Sequence, residues 1–506
     1  MLRSIYIENF RSIRKLNLDL DKINALVGRN NVGKSNIIYA IKLLLDEKWP
    51  INSILEEDIC NYEEGLKCKI ELYFDEPIIH TYYGTELKIG GFRLSFDKSH
   101  GASFVGITDT GEEILTQYSK PLVISNEIRS KVPVVYIGID RDLERMLAPN
   151  DWSLFSRILE NISNKSNSNG DNDKSEKFKQ RISAAMELIK EDLIDIEKDM
   201  EGIVKEYSGM KEVSLGLKEP DMRSFFKSLA IHIKENSVFD PAPALSMGTG
   251  IQSMIAIALL KSYKTISGSK SILLLEEPEI YLHPHARRYF YGIMDKLSNE
   301  DIQVIYTTHS TEFVDVYNFE RINIVEKNLE KGTYVNQGKD ISIEKGSKEQ
   351  IKLYTEFDAT RNELFFSEKV MLVEGPTEKN ALPYLFRLNQ IDLHKENISI
   401  IDTGGKENIL FFAKVLRSFK IPFVVLTDSD SDKTGDYHKN LNTKITEFCG
   451  LDTTFFMDPY IERLFNIEVS LRESKLRKLV KIVSNLKEKK MIPETINNAI
   501  SKLSEL

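Results

Sequence analysis

Residues Gly28-Arg29-Asn30-Asn31-Val32-Gly33-Lys34-Ser35 have the spacing of a loop that cradles nucleotide phosphates. The two glycines let backbone N–H groups turn inward around phosphate oxygens. Lys34 is placed to neutralise β- and γ-phosphate charge and Ser35 to hold Mg2+. The helix that starts there points its positive end at the same oxygens. Asn30 and Asn31 inside the loop and Asn36 just after it complete the expected nucleotide contacts. The other half of such a site lies far along the chain. In "SILLLEEPE" a buried strand ends in Glu276, within reach of the Mg2+ shell, and Glu277, able to polarise an attacking water. His309, just past "IQVIYTT", is expected to contact the γ-phosphate, with a buried structural histidine as the alternative. "LSMGTGIQS", Leu245 to Ser253, opens a helix and offers a second anion-binding N-terminus through Ser246 and Gly248. His283 and His285 flank Pro284 and read as part of a tight loop by a subunit interface rather than as metal ligands.

A different chemistry is suggested by four acids in the C-terminal third. Glu374 ends the strand "KVMLVE" and precedes Gly375, and Glu378 lies one turn on. Asp428 and Asp430 end the strand "PFVVLT", and a spacing of two puts them on one face while the strand conformation lasts. A right-handed parallel sheet can bring Glu374 beside them. Like charges packed this closely repel, more so as water is excluded, and a divalent cation removes the conflict. Taken singly, each acid has a plainer reading as a solvated strand end.

These residues need a scaffold that carries them on strand ends. "INALVG" is an apolar run entering the glycine loop, and "SNIIYAIKLLLDE" has apolar residues at helical spacing, so strand, loop and helix follow in the required order. "IYIENF" and "LNLDL" alternate like half-buried strands, and "KIELYFDE", "FRLSF" and "VPVVYIGI" are further strand candidates. Near residue 150 the texture turns helical, around the Ser/Asn-rich loop "SNKSNSNGDNDKSE". The α/β pattern returns from about 240 to 326. "NLEKGTYVNQGKDISIEKGSKEQ" is polar and expected to be peripheral. From about 360 strands and helices alternate cleanly, which implies a parallel sheet with helices on its faces.

At 506 residues the chain exceeds one compact core. Its 41% apolar and 29% charged residues are ordinary for a water-soluble protein. No apolar run spans a bilayer, and "MLRSIYIENF" lacks the apolar centre of a signal peptide. Cys60, Cys68 and Cys449 are scattered and read as reduced thiols of a cytoplasmic protein. With a net charge of −9, any nucleic acid must be met by local basic patches.

The opening "IYIENFRSIRKLNLDL", the "EEPE…LHP" stretch and His309 resemble the ABC-type ATPases, in the branch shared with SMC-like DNA repair proteins. That resemblance implies that a signature loop, Ser246 to Gln252, completes the phosphate site of a partner head, so that ATP sits between two heads. The loop reads "LSMGTGIQ" where the family has Leu-Ser-Gly-Gly-Gln. The later acids resemble a Toprim domain: Glu374 matches its acid motif, Asp428 and Asp430 its paired aspartates, and "DTGGK", Asp402 to Lys406, its glycine turn. An SMC-like ATPase followed by Toprim is similar to the OLD (overcoming lysogenization defect) family of nucleases, which includes the nuclease subunit of the Gabija antiphage system and retron-associated effectors.

The resemblance implies an α/β fold: an ATPase head in two parts (1–150 and 241–335), a helical insertion between them (151–240), a linker (336–362) and a Toprim domain (363–506). The insertion is read either as a dimerisation element or as a cap on its own head. ATP and Mg2+, with Mn2+ as an alternative at the Toprim site, are the implied cofactors. A two-metal DNA-cleaving site is implied, with Glu374, Glu378, Asp428, Asp430 and Glu462 of "DPYIERLF" binding cations and Asp432 either assisting or solvated. The family also uses a C-terminal lysine. Lys487, Lys489 and Lys490 are the candidates, Lys490 being favoured and a solvated helix face being the alternative.

Three functions compete on this reading. The first is an ATP-regulated endonuclease of phage or plasmid defence acting on double-stranded DNA. It would work as a homodimer or higher oligomer, with a helicase, or a reverse transcriptase and its noncoding RNA, as the expected partner system. The second is an SMC-like DNA clamp whose acids hold a structural ion. The third, a topoisomerase or primase, lacks room for a tyrosine-bearing winged domain and lacks the cysteines of a zinc module.

Overall fold

In the computed structural model the described residues are 1–139 (without 47, 61–65 and 98), 231–234, 240–338 (without 269, 281, 316 and 317), 356–467 (without 359 and 434), 480–484 and 491–506, with isolated positions from 158 to 229. They form two compact units, one of residues 1–44, 48–125 and 275–506, the other of 45–47 and 126–274. In chain order the strands are β1 (Leu2–Phe10), β2 (Ile13–Asp19), β3 (Ile23–Val27), β4 (Cys68–Tyr82), β5 (Thr85–Asp97), β6 (Gly101–Ile107), β7 (Val134–Ile137), β8 (His232–Ile233), β9 (Ala242–Pro243), β10 (Ser271–Glu276), β11 (Ile302–Thr308), β12 (Ile322–Asn328), β13 (Gly332–Gln337), β14 (Lys369–Val373), β15 (Ile398–Asp402), β16 (Phe423–Asp428) and β17 (Thr454–Met457).

The first sheet of the first unit runs β6-β5-β4-β1-β2-β13-β12-β3-β11. Its outer part is antiparallel: β1 pairs with β2 and β4, the alternation of "IYIENF" sends Ile5 and Ile7 into the core, and Phe10 joins them after Asn9 at φ +53°. Its inner part is parallel. All five residues of β3 are buried, and β3 lies between β11 and β12 in parallel register. A strand covered on both faces shows a near-continuous apolar run, and "INALV" breaks it only at Asn24, whose Nδ2 donates to Asp21 O at 2.6 Å. The register Val27↔Thr308 sets the start of the phosphate loop beside His309.

The polar stretch read as peripheral contains β13, which sits inside the sheet between β2 and β12. Thr333 in it is fully buried, and its Oγ1 donates to Val32 O at 2.6 Å beneath the phosphate loop. The strand is polar because its side chains answer hydrogen bonds, not because they meet water.

The second sheet of this unit has the order β15-β14-β16-β17 and is parallel throughout. Helices Pro376–Leu388, Ile409–Ser418 and Glu494–Glu505 present apolar faces to it. Met371, Val373, Leu385, Phe386, Leu426, Ile496 and Leu503 share one buried cluster with it. Because the strands are parallel, their C-terminal ends line one edge, where open α/β sheets bind ligands.

In the second unit β7 neighbours β10, with Ile272 N–H donating to Pro133 O at 2.9 Å. Helix Thr249–Ser267 begins after Gly248 and is closed by Gly268 in the left-handed conformation. The insertion expected at 151–240 lies almost wholly outside the described residues, as do Lys487, Lys489 and Lys490. Among the described residues no helix is long and apolar enough to cross a membrane.

Candidate active sites

The first candidate site is built on β3. Gly28 and Gly33 have φ of +151° and +105°, and a Cβ on either would stand 2.3 Å from Val325 O or 2.2 Å from Thr333 Oγ1. Only glycine fits these close approaches. Lys34, buried at the start of helix Lys34–Leu45, donates from Nζ to Gly28 O and Arg29 O, both at 2.7 Å. Burial strips water from its ammonium and brings it down to about 8, against the pull of Glu277 and Glu279. Asn31 takes a left-handed conformation in the loop, and Asn30 and Ser35 are exposed. Asn36 instead donates to Ser12 Oγ at 2.7 Å, in the hydrogen-bonded group that also holds Thr333.

Glu276, buried, ends β10, and Glu277 follows with φ +43°. That unfavourable backbone is held by the Glu277 N–H, which donates to Thr307 O and Thr307 Oγ1, both at 3.1 Å. The turn sets Glu277 Oε1 3.6 Å from His309 Nε2. Burial and the Lys34 ammonium hold His309 below the usual histidine range despite Glu279, so the ring is neutral at pH 7. Glu279 is a residue the sequence reading passed over. It is buried, and its Oε1 accepts from Thr308 Oγ1 at 2.8 Å and His309 N–H at 2.6 Å, which fixes the histidine's approach.

Ser246 and Gly248 belong to the second unit. Ser246 Oγ donates to Pro243 O at 2.7 Å, Gly248 is the N-cap of helix Thr249–Ser267, and Gln252 Nε2 ties the loop to Leu245 O and Met247 O. His283 caps helix Pro284–Asn299, its ring stacked on His285 at 6.0 Å.

The second candidate site gathers at the C-terminal ends of β14 and β16. Glu374 Oε1 accepts the Asp428 N–H at 2.8 Å and the Thr427 hydroxyl. This is the juxtaposition that acids ending neighbouring parallel strands should produce. Glu378, in the first turn of helix Pro376–Leu388, is buried; burial, then Glu374 and Glu462, push it up to about 7. Asp428 is pushed up to about 9 by burial and by the charges of Glu374, Glu378, Asp430 and Glu462. Its Oδ1 is enclosed and has no hydrogen-bond partner. Glu462, on the short helix Ile461–Leu464, is buried and contributes to this field. Asp432 is exposed.

Asp430 differs from its neighbours. Burial raises it, but Lys433 at 2.7 Å and Lys406 at 2.9 Å outweigh this and hold it below the usual carboxylate range. Lys406 comes from the "DTGGK" turn after β15, which in the sequence stands out for its glycines. Nothing local marks Lys406 as buried, since its partners lie more than twenty residues away.

Acids that raise one another's proton affinity around an unpartnered oxygen are the donor set a hard divalent cation satisfies, so the residues fit such an ion. Among the described residues no three acids or histidines already stand at metal-holding distances.

Residues 1–208 and 112–314 match the family model described as AAA ATPase domain. Residues 365–430 match that described as Overcoming lysogenization defect protein-like, TOPRIM domain. An OLD nuclease of Thermus scotoductus is 29% identical over 498 residues, covering 92% of each chain. Endonuclease GajA of Bacillus cereus (strain VD045) is 23% identical over 459 residues, 84% of this chain and 74% of that one. In backbone the chain is similar to the SMC head domain of Pyrococcus furiosus, with TM-score 0.41 and 17% identity, covering 66% of this chain and 95% of that one.

Proposed function

Since the chain belongs to the AAA ATPase domain family and carries an OLD-like Toprim domain, an ATPase joined to an endonuclease, we propose that it cuts double-stranded DNA with divalent metal ions under the control of ATP. The observation that carries the cutting site is Asp428: a half-buried acid, one oxygen without a partner, in the combined field of Glu374, Glu378 and Glu462. Divalent cations, Mg2+ or Mn2+, supply there an activated water and a counter-charge for the leaving 3′ oxygen of a phosphodiester. Glu374, Glu378, Asp428, Asp430 and Glu462 offer the oxygen ligands, and their crowding favours a doubly charged ion. Glu374 also orients the Asp428 main chain. At the head, Lys34 meets phosphate charge, Glu276 and Ser35 serve the Mg2+ shell, and Glu277 polarises the attacking water beside His309.

Control by ATP is supported by contacts within the first unit. Asn362 Nδ2 donates to Thr311 O at 3.0 Å and Val314 O at 3.3 Å, in the segment just past His309. Its neighbour Arg361 holds Asp402, donating from Nε to the main-chain O at 2.8 Å and from Nη2 to Oδ1 at 3.0 Å. Asp402 ends β15 and begins the turn to Lys406. Arg29 of the phosphate loop pairs with Glu368, next to β14. A shift of the His309 segment is thereby felt at the acids. Leu245, just before the signature loop, and Ile251 within it, 42% and 49% exposed, support closure of the head against a second copy. Defence against phages or plasmids is the proposed setting, in keeping with the OLD resemblance, and the divisions at about 150, 240, 335 and 362 are the proposed domain limits.

A supercoiled plasmid with Mg2+ or Mn2+ tests the reading. Nicked or linear product, lost in Asp428→Ala, is expected. Intact plasmid that is tightly bound would show a clamp, and relaxed plasmid without breaks a topoisomerase; either overturns the proposal.

A further inference from the structure

Glu279 is assigned no contact with phosphate or Mg2+, yet it is 7% exposed, a costly place for a carboxylate. Its Oε2 is enclosed and finds no hydrogen-bond partner among the described residues. Its Oε1 is shared by two donors, the Thr308 hydroxyl at 2.8 Å and the His309 N–H at 2.6 Å. The Thr308 hydroxyl oxygen in turn accepts the Ser310 N–H at 3.0 Å. One carboxylate oxygen therefore gathers Thr308, His309 and Ser310 where β11 ends, and the histidine side chain leaves from the middle of that turn. Hydrogen bonds to an ionised oxygen are stronger and shorter than neutral ones, so this is a firm hold.

The hold joins two turns. Glu279 belongs to the turn after β10 that carries Glu277, and the Glu277 N–H is already tied to Thr307. With both ties made, Glu277 Oε1 and His309 Nε2 stand 3.6 Å apart. Past Ser310 the chain enters the single turn Thr311–Phe313, pinned by the Tyr306 hydroxyl, which donates to Phe313 O at 2.5 Å. Thr311 O and Val314 O of this segment are the acceptors of Asn362 Nδ2. The placement of that segment thus begins at Glu279.

We propose that Glu279 is a positioning residue for ATP hydrolysis and for the effect of ATP on cutting: its Oε1 clasps the turn Thr308 to Ser310, setting His309 against Glu277 and the segment Thr311 to Val314 against Asn362. The second half rests on the reading that ATP controls cutting; the first stands on ATP hydrolysis alone.

The test compares the full chain with Glu279→Gln and Glu279→Ala. The readouts are steady-state phosphate release, equilibrium binding of a fluorescent ATP analogue, and plasmid cutting at saturating Mn2+ with and without ATP. Glutamine keeps an acceptor oxygen at the same reach, and alanine removes it. Glu279→Ala is expected to lower kcat about 10–100-fold while the nucleotide Kd stays within about threefold, and to shrink the effect of ATP on cutting. Glu279→Gln is expected to restore kcat to within about fivefold of wild type, and the ATP effect with it. A wild-type kcat in Glu279→Ala overturns the inference. So does an equal loss in both variants, which would assign the role to charge, and so does a loss of nucleotide binding that matches the loss of rate. Slow hydrolysis in Glu279→Ala with an undiminished ATP effect on cutting overturns the second half. Wild-type cutting that ignores ATP would bring down the control reading itself, and kcat would still decide the first half. Should Glu279→Ala fail to fold, Thr308→Val removes one of the two donors. It is expected to slow hydrolysis about three- to tenfold at unchanged nucleotide affinity, and hydrolysis at the wild-type rate would overturn the inference.

Discussion

Replacing Asp428 by asparagine is expected to make the protein more stable and unable to cut. The aspartate is pushed up to about 9 by burial and by Glu374, Glu378, Asp430 and Glu462. An unfolded aspartate releases its proton near pH 3.9, so keeping it protonated in the fold at pH 7 costs up to about 4 kcal/mol. Asp428 is half-buried as a residue, and solvent screening brings the expected cost to about 2 kcal/mol. The sign follows from the raised affinity. The stability this group confers is complete below pH 3.9 and is lost as pH rises toward 9, so the advantage of the variant grows over that interval. Asparagine keeps the shape and removes the charge. Thermal melts without metal should therefore place Asp428→Asn roughly 2–3 °C above the wild type at pH 7 and much closer to it at pH 5. Mg2+ should raise the wild-type melting point, by about 2.7 kcal/mol of binding linkage at a hundred times its dissociation constant, and raise the variant's far less. A variant that melts below the wild type at pH 7, or that gains as much from Mg2+, would refute the charge-crowding argument.

Three more outcomes follow. Glu277→Gln should retain ATP binding while slowing hydrolysis by about 10²–10³-fold, read in a steady-state phosphate-release assay. The kcat/KM of ATP hydrolysis should hold between about pH 7 and 8. It should fall above about 8, where the desolvated Lys34 loses its proton, and on the acid side only below the ordinary histidine range, because His309 stays neutral to lower pH. Asn362→Ala should leave ATP hydrolysis and nucleotide-free cutting within about threefold, yet erase the effect of ATP on cutting; its two bonds to Thr311 and Val314 are the link removed.

How much of this was legible in the sequence depended on how local the determinants are. The phosphate loop is a continuous strand, turn and helix, so its glycines, Lys34 and Ser35 could be read in place. Glu374 and Asp428 could be paired because both end apolar runs, and a parallel sheet brings such ends together. β13 was missed because its buried Thr333 and Asn336 are polar, chosen for partners on distant segments rather than for an apolar face. Glu279 sits two residues past a recognised acid, but its role depends on β11 lying alongside. In the sequence Lys406 and Asp430 stand apart, one in a glycine turn and the other among the expected metal ligands. Only the folded sheet reveals that the lysine holds the aspartate.

The most direct measurement of the central claim uses plasmid DNA in which phosphodiester oxygens are replaced by sulfur. If metal at Glu374, Glu378, Asp428, Asp430 and Glu462 contacts the phosphate being cut, cleavage should fall sharply with Mg2+ and recover with the more sulfur-tolerant Mn2+. Equal rates on sulfur-substituted and ordinary plasmid with Mg2+ would contradict it.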